Sequence, residues 1–199
     1  MRVIAGLYRS RRLQTLRGTA LRPSSDRLRE TLFNILGPAI EGSLFLDLFA
    51  GSGAVGIEAL SRGARGAIFV ENHPAGAALI SRNLASLGIP TAAQVARHRT
   101  FAGTAEILHM DAMDALERLG NNGAHVDFVF ADPPYANVSA YEDILAFLGE
   151  SDLLARNGRV IAEHRRNRDL LTIAGHLERT RVLEQGDTAL SFYKPTFAA

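Results

Sequence analysis

The segment LFLDLFAGSGAVGIEALSR, residues 44–62, decides the fold. Its first seven residues are apolar except for Asp47, which is typical of a strand buried on both faces. Its last nine residues, 54–62, have the composition of a helix. The turn between them carries Gly51 and Gly53 in the pattern Gly-x-Gly-x-x-Gly, where glycine allows a tight turn and the close approach of a ligand. We therefore predict a strand–turn–helix unit that binds a cofactor containing adenosine.

The same alternation continues along the chain. Apolar runs typical of strands lie at 44–50, 66–71, 105–111, 125–132 and 159–164. Segments with helical periodicity lie at 54–62, 75–88, 112–119 and 141–154, and residues 89–102 are polar and without a clear period, as in a surface loop. Strands and helices in alternation predict a parallel sheet covered on both faces. Two further strands, 179–185 and 188–194, flank Gly186-Asp187, so we predict a Rossmann-like α/β fold that ends in an antiparallel hairpin.

The start of the chain is strongly basic. The first 36 residues carry eight arginines against two acidic residues, whereas the whole chain of 199 residues has a net charge of +1. Arginine pairs with phosphate and guanine edges and stacks on bases, although a basic terminus can also be merely solvated. The clustering favours nucleic acid, so we predict a basic extension over 1–40, a hairpin followed by a helix, and a catalytic domain over 41–199. The predicted RNA contacts are Arg9, Arg11, Arg12, Arg22 and Arg27.

Composition excludes several kinds of site. Cysteine is absent, which excludes disulfides, thiolate zinc sites and cysteine nucleophiles. The six histidines show no paired spacing of metal ligands, so we expect no metal. No apolar run approaches the roughly 18 residues of a membrane span, and the first residues lack the pattern of a signal peptide. We expect a cytoplasmic protein, without a membrane partner, that acts as a monomer.

Three acidic residues indicate which cofactor is bound. Asp47 directly precedes the glycine turn, where it would repel the phosphates of a dinucleotide but attract the ammonium and sulfonium groups of S-adenosylmethionine. Glu71 ends the second strand and is placed to accept hydrogen bonds from ribose hydroxyls. Asp111 ends the third strand and can bind the adenine amine, cap the next helix, or do both. We predict S-adenosylmethionine, bound by Asp47, Phe49, Ala50, Gly51, Ser52, Gly53, Glu71, Asn72, Asp111 and Ala112.

The segment Asp132-Pro133-Pro134-Tyr135 directly follows the apolar run 125–131. Ligands of open α/β sheets bind at the carboxyl ends of the strands, so we expect this segment to face the same crevice as the glycine turn. The two prolines fix the backbone and remove two N–H donors, which leaves the Asp132 carboxylate and the Pro133 carbonyl as acceptors. Two acceptors beside an aromatic ring suit the amine of a planar base.

An amine of this kind is a poor nucleophile because its lone pair is delocalised into the ring. Two hydrogen bonds can hold the nitrogen pyramidal, with the lone pair aimed at the methyl group, so that transfer depends on positioning and electrostatic stabilisation. The base would be flipped out of its stack onto Tyr135. We predict a methyltransferase with Asp132, Pro133, Pro134 and Tyr135 as its catalytic residues.

At these residues the chain resembles the RsmD-type family of bacterial 16S ribosomal RNA guanine-N2 methyltransferases. The resemblance covers nearly the whole chain and is most specific in its N-terminal helix. The matching segments are RVIAGLYRSRRL, LRPSSDRLRETLFNIL, LDLFAGSGAVGIEALSRGA, FVEN and VFADPPY. The resemblance implies a seven-stranded methyltransferase fold and transfer to guanine N2 of 16S ribosomal RNA in an assembled or partly assembled small subunit. By the same resemblance, Asp47, Gly51, Gly53, Glu71 and Asp111 would bind the cofactor, and residues 132–135 would hold the guanine.

Three alternatives stay open on the sequence. An NAD(P)-dependent reductase would use the same glycine turn, but it would have no use for the segment 132–135. An amine methyltransferase could act on DNA or RNA adenine N6, on cytosine, or on a protein glutamine. The glutamine enzymes usually carry asparagine where this chain has Asp132, and 199 residues leave no room for a separate domain that recognises DNA sequence. An RNA-binding chaperone that only retains the fold would not need Asp132 and intact glycines.

Overall fold

The computed structural model describes residues 1–15, 26–91, 103–134, 137 and 139–196. They belong to two compact units, Met1–Asp111 and Ala112–Ala199, which are described separately below. The chain has the predicted α/β fold, in which parallel strands are followed by antiparallel strands near the C-terminus. The predicted division into 1–40 and 41–199 stays a prediction.

The described part of the first unit contains three parallel strands and three α-helices. Its elements are α1 (Asp26–Leu36), a 3-10 helix (Gly37–Ile40), β1 (Leu44–Asp47), α2 (Ala54–Ser61), β2 (Gly66–Val70), α3 (Pro74–Leu87) and β3 (Thr104–Leu108). Strand β2 pairs with β1 on one side and with β3 on the other. All five residues of β2 are buried, as expected of a parallel strand covered on both faces. Strand β1 ends at Asp47, earlier than predicted, because residues 48–50 already turn toward the glycines.

Residues 1–15, called the arm below, form the predicted hairpin. Arg2 and Arg12 make an antiparallel bridge. The Val3 amide donates to the Arg11 carbonyl at 3.0 Å, and the Ser10 amide donates to the Val3 carbonyl at 2.9 Å. Because this pairing is short, the hairpin depends on the helices of the first unit for its position.

The described part of the second unit contains the strands that follow in the chain. Its elements are α4 (Ala112–Asn121), β4 (Val126–Ala131), α5 (Ala140–Glu150), β5 (Leu154–Arg165), β6 (Ile173–Ala174), β7 (Leu177–Gln185) and β8 (Thr188–Pro195). Strands β4 and β5 are parallel, whereas β8 is antiparallel to both β5 and β7. The seven predicted strands are therefore present in the described part of the chain. The two-residue β6, which pairs with β7, is an addition that was not predicted.

Helix α5 was predicted to run to residue 154 and ends at Glu150. Its last turn lies against β6: the His176 amide donates to the Gly149 carbonyl at 2.9 Å, and a Cβ at Gly149 would lie 2.0 Å from the Ala174 carbonyl oxygen. The chain leaves the helix at this contact, and Leu153 is buried in a turn while Leu154 is buried as the first residue of β5.

Of the predicted loop 89–102, residues 92–102 lie outside the described residues, and Thr91 forms a parallel bridge with Ala105. In the described part of the chain, no helix is long and apolar enough to cross a membrane. The described residues likewise contain no group of three or more histidine, aspartate or glutamate side chains that could hold a metal ion.

Candidate functional site

The three glycines of the Gly-x-Gly-x-x-Gly motif are required for different structural reasons. Gly51 and Gly53 have φ angles of 55° and 79°, in the left-handed region that favours glycine. Gly56 lies inside α2, where a Cβ would approach the Phe69 ring to 2.4 Å. The first two glycines therefore shape the turn, and the third allows α2 to pack closely on β2.

Asp47 ends β1 directly before this turn. Its side chain is buried, and Oδ2 accepts a hydrogen bond from the Gly56 amide at 3.1 Å. A carboxylate at the first turn of a helix is stabilised by the free N–H groups and by the helix dipole. In the structure Asp47 fixes the start of α2, a role that the sequence analysis did not assign, and its binding of the cofactor stays a prediction.

Glu71 follows β2 and is held at the edge of the turn. Its Oε2 accepts from the Gly51 amide at 2.8 Å, and its Oε1 accepts from the His73 amide at 2.8 Å. Each carboxylate oxygen can accept a second hydrogen bond. Glu71 is thus fixed in orientation while it is still able to bind a pair of hydroxyl groups.

The other residues predicted to bind the cofactor lie around these positions. Phe49 and Ser52 are half-buried, and Ala50 is buried with its amide donating to the Val70 carbonyl at 2.9 Å. The Asn72 carbonyl lies 3.2 Å from Nε2 of the His109 ring. Asp111 is the last residue of the first unit and is exposed. Ala112 is the first residue of the second unit and of α4, and it is buried.

The predicted substrate segment begins where β4 ends. Asp132 is half-buried, Pro133 is buried, and Pro134 is exposed with its carbonyl accepting from the Asn137 amide at 2.8 Å. The acceptor groups of Asp132 and Pro133 therefore stand directly at the carboxyl end of a parallel strand, as predicted. Tyr135 lies outside the described residues. That this segment and the glycine turn face one crevice stays a prediction.

Sequence reasoning left out the neighbours of this segment. The last paired residues of β4 and β5 are Ala131 and Ala162, so Asp132 and Glu163 each follow one position later. Glu163 is buried, and its carbonyl accepts from the Tyr141 hydroxyl at 2.8 Å. The pair Glu163-His164 at a strand end was the available signal, but polar residues are common at strand ends.

His164 is a buried residue of β5 whose ring contacts β8. Its Nε2 lies 2.8 Å from the Ser191 hydroxyl and its Nδ1 lies 2.9 Å from the Arg165 carbonyl. Burial lowers the pKa of the imidazole, and the charges of Arg179 and Arg168 lower it further. The arrangement favours a neutral ring with its proton on Nδ1, because the carbonyl can only accept.

The arginines predicted to bind RNA are mostly exposed. Arg9 and Arg12 of the arm and Arg27 of α1 are exposed, and Arg22 lies outside the described residues. Arg11 is exposed as well, but its Nη2 donates to the Ser86 carbonyl at 2.8 Å and so also attaches the arm to α3.

Glu58, which the sequence analysis did not identify, holds the arm at Ile4 and Ala5. This fully buried carboxylate accepts from the amides of Ile4 and Ala5 at 2.7 and 3.0 Å. It also pairs with Arg62 at 2.8 Å and lies 3.9 Å from the buried Arg29. A buried, multiply bonded ion cluster therefore holds the arm against α2.

Comparison with known proteins places these features in a family. The family model described as Conserved hypothetical protein 95 matches residues 1–194. The Escherichia coli ribosomal RNA small subunit methyltransferase D is 34% identical over 194 residues, covering 98% of this chain and 89% of that protein. The solved structure of Escherichia coli yhhF is 32% identical, has a TM-score of 0.81 and covers 100% of this chain and 99% of its own.

A more distant solved structure shares the fold alone. It is the RNA methyltransferase from Salinibacter ruber in complex with S-adenosyl-L-homocysteine, with 15% identity and a TM-score of 0.61. The alignment covers 89% of this chain and 96% of the other. The family model and the Escherichia coli relative span nearly all of the sequence. The chain belongs to the RsmD-type family described as Conserved hypothetical protein 95.

Proposed function

We propose that this protein transfers a methyl group from S-adenosylmethionine to the exocyclic N2 of a guanine in 16S ribosomal RNA. The observation that carries the proposal is the 34% identity, over 98% of the chain, with a protein named ribosomal RNA small subunit methyltransferase D. The substrate would be the RNA within an assembled or partly assembled small subunit.

The residues at the glycine turn suit the proposed cofactor. Glu71 is fixed by two backbone amides and keeps acceptor capacity for a ribose diol. A Cβ built on Gly51 would meet nothing within 4 Å, so the turn is open on that side. The remaining side chains of the set are acidic, apolar or neutral and polar, which suits a cofactor with an ammonium, a sulfonium and an adenine. The set is Asp47, Phe49, Ala50, Gly51, Ser52, Gly53, Glu71, Asn72, Asp111 and Ala112. The bound cofactor would supply a methyl group on a positively charged sulfur.

Asp132 and Pro133 would hold the amine. Two acceptors satisfy its two hydrogens and direct the nitrogen lone pair away from the plane of the base, so the protein contributes orientation. Proline at 133 and 134 offers no N–H group that could compete for these acceptors. Tyr135 would stack on the flipped base. After transfer the nitrogen carries a positive charge, and Asp132 is the group beside it that can stabilise this charge.

The arm and α1 would contribute contacts to the RNA backbone. Arg9, Arg12 and Arg27 are exposed and free to reach phosphates, and Arg11 shares this surface. Arg22 belongs to the same proposed set. Contacts of this kind position an RNA without reading its sequence, so the choice of guanine would depend on the shape of the subunit around it.

Two binding and transfer experiments test the proposal. Titration calorimetry with S-adenosylhomocysteine and with NADH should show binding of the first and none of the second. Radioactive methyl transfer should then label 16S RNA in small subunits and leave DNA and ribosomal proteins unlabelled. Binding of NADH alone would favour a reductase. Label on adenine, cytosine or glutamine would support a methyltransferase that acts on a different substrate.

A further inference from the structure

Asn83 is a buried amide on α3 that contacts the arm. The residue is 0% exposed. Its Oδ1 accepts from the Gln14 amide at 2.9 Å, and its Nδ2 donates to the Gln14 carbonyl at 3.1 Å. The side chain thus pairs with the backbone of the arm at two points, as a neighbouring strand would.

The same amide group also contacts the glycine turn. Nδ2 donates to the Ser52 carbonyl at 2.8 Å, so both of its hydrogens have a partner. Ser52 lies between the two glycines with positive φ. A direct contact between arm and turn also exists, from the Ser52 hydroxyl to the Met1 sulfur at 3.6 Å, but a thioether is a weak acceptor. Asn83 is therefore the stronger link between the two segments.

We propose that Asn83 is a positioning residue that couples RNA binding on the arm to cofactor binding on the glycine turn. If the arm leaves α3, the Asn83 amide loses two of its three hydrogen bonds, and with them the contacts that fix its orientation. The amide is then able to rotate, and rotation moves Nδ2 away from the Ser52 carbonyl. The docked arm and the ordered turn therefore favour each other.

This coupling rests on the proposed function, since it needs a cofactor on the turn and RNA on the arm. Linkage makes it reciprocal: the cofactor strengthens RNA binding by the same factor by which RNA strengthens cofactor binding. Couplings between two sites typically amount to about 5-fold or more. This coupling would favour the complex in which the cofactor and the RNA are both bound.

Gln14 provides a matched pair of variants because its contacts with Asn83 use only the backbone. Gln14→Ala keeps both hydrogen bonds and is the control. Gln14→Pro removes the N–H donor, which weakens the attachment of the arm but leaves the bond from Asn83 to Ser52 in place. Asn83→Leu removes all three bonds with a side chain of similar size. It tests the coupling independently if the proline variant does not fold.

Hydrogen exchange with S-adenosylhomocysteine as the only ligand tests the coupling. In the wild type and in Gln14→Ala, saturating ligand should slow exchange of the turn amides and, at least 5-fold, of the arm amides of Val3, Ser10 and Leu13. In both Gln14→Pro and Asn83→Leu, the turn should still be protected. The arm rates should respond less than in the wild type in Gln14→Pro, and they should be unchanged by the ligand in Asn83→Leu.

Two results would overturn the coupling: an arm that does not respond in the wild type although the turn does, or equal protection of the arm in all four proteins. Failure of the proposed function has a different signature. If the ligand protects neither turn nor arm in the wild type, then the turn is not a cofactor site, and the coupling falls with it.

Discussion

Glu71 and Gly76 fit together so closely that a Cβ on Gly76 would lie 2.7 Å from Cγ and Cδ of Glu71. The first turn of α3 therefore keeps the Glu71 side chain folded toward the Gly51 amide. Glycine at 76 is thus required by a carboxylate five residues earlier, and the contact sets the orientation of the acid that we assign to the ribose.

Gly76→Ala should weaken binding of S-adenosylhomocysteine. The added methyl group displaces Glu71 from the Gly51 amide and so from the ribose. The loss of hydrogen bonds to a charged group, about 1.5–3 kcal/mol, corresponds to roughly 10- to 150-fold in Kd. Titration calorimetry measures the change. The exposed neighbour Ala75→Ser is the control and should bind as the wild type does. Unchanged affinity in Gly76→Ala would show that Glu71 does not bind the cofactor.

Asp132→Asn should lose most turnover while keeping the affinity for S-adenosylhomocysteine. The amide is a weaker acceptor and carries no charge, and the loss of one group that stabilises charge in the transition state is worth about 100- to 1000-fold in kcat. Methyl transfer to small subunits and calorimetry on the same protein separate the two effects. Asp143→Asn, on the exposed face of α5, is the matched control. Equal loss of affinity and turnover would assign Asp132 to the cofactor instead.

Glu58→Gln should destabilise the protein by about 3 kcal/mol, because it removes the buried charge that pairs with Arg62 and leaves the buried Arg29 with Asp26 as its charge partner. Urea unfolding measures the free energy. Glu30→Gln on the exposed side of α1 should change it by less than about 0.5 kcal/mol. If the two variants are equally stable, the cluster around Glu58 does not hold the arm.

The stability of the protein should fall as the pH drops below about 6.5, the usual pKa of histidine. Burial lowers the pKa of His164 in the folded state, so between the two pKa values the unfolded chain binds a proton that the folded chain does not. Stability from this residue is complete above the unfolded pKa and is lost as the pH falls toward the folded pKa. Urea unfolding of His164→Gln should show a smaller fall than the wild type, while the exposed His73→Gln should follow the wild type. Identical slopes in all three proteins would contradict the assignment.

Replacing Arg9, Arg11 and Arg12 together by alanine should weaken RNA binding and reduce its dependence on salt. Each lost phosphate contact lowers the slope of log K against log salt by about 0.7–0.9. Binding to small subunits at several salt concentrations measures the slope. A variant with Arg118→Ala, exposed on α4, controls for net charge. An unchanged slope would mean that the arm does not touch the phosphates.

Local patterns predicted the parts of this molecule that depend on local physics. The strand, turn and helix around Gly51 and Gly53 follow from apolar periodicity and from positive φ angles. The helix at Asp26–Leu36 follows from its apolar face. By contrast, Glu58 and Asn83 act through contacts with the arm 53 to 69 positions away, and no spacing rule brings such residues together.

In the candidate site, too, some features could be predicted from local sequence and others depend on contacts between distant residues. Asp47, Glu71 and Asp132 could be chosen because each follows an apolar run at a strand end, where ligands of α/β folds bind. The attachment of Glu71 to the Gly51 amide depends on the absence of a side chain at Gly76. The early end of α5 depends on β6, a strand of only two residues without any periodic signal.

The central claim is methylation of guanine N2 in 16S ribosomal RNA, and mass-spectrometric mapping of that RNA from cells lacking this gene tests it most directly. We expect one guanosine to lose its N2-methyl group, to regain it with the wild-type gene, and to stay unmodified with Asp132→Asn. An unchanged pattern of methylated guanosines in the deletion strain would contradict the claim.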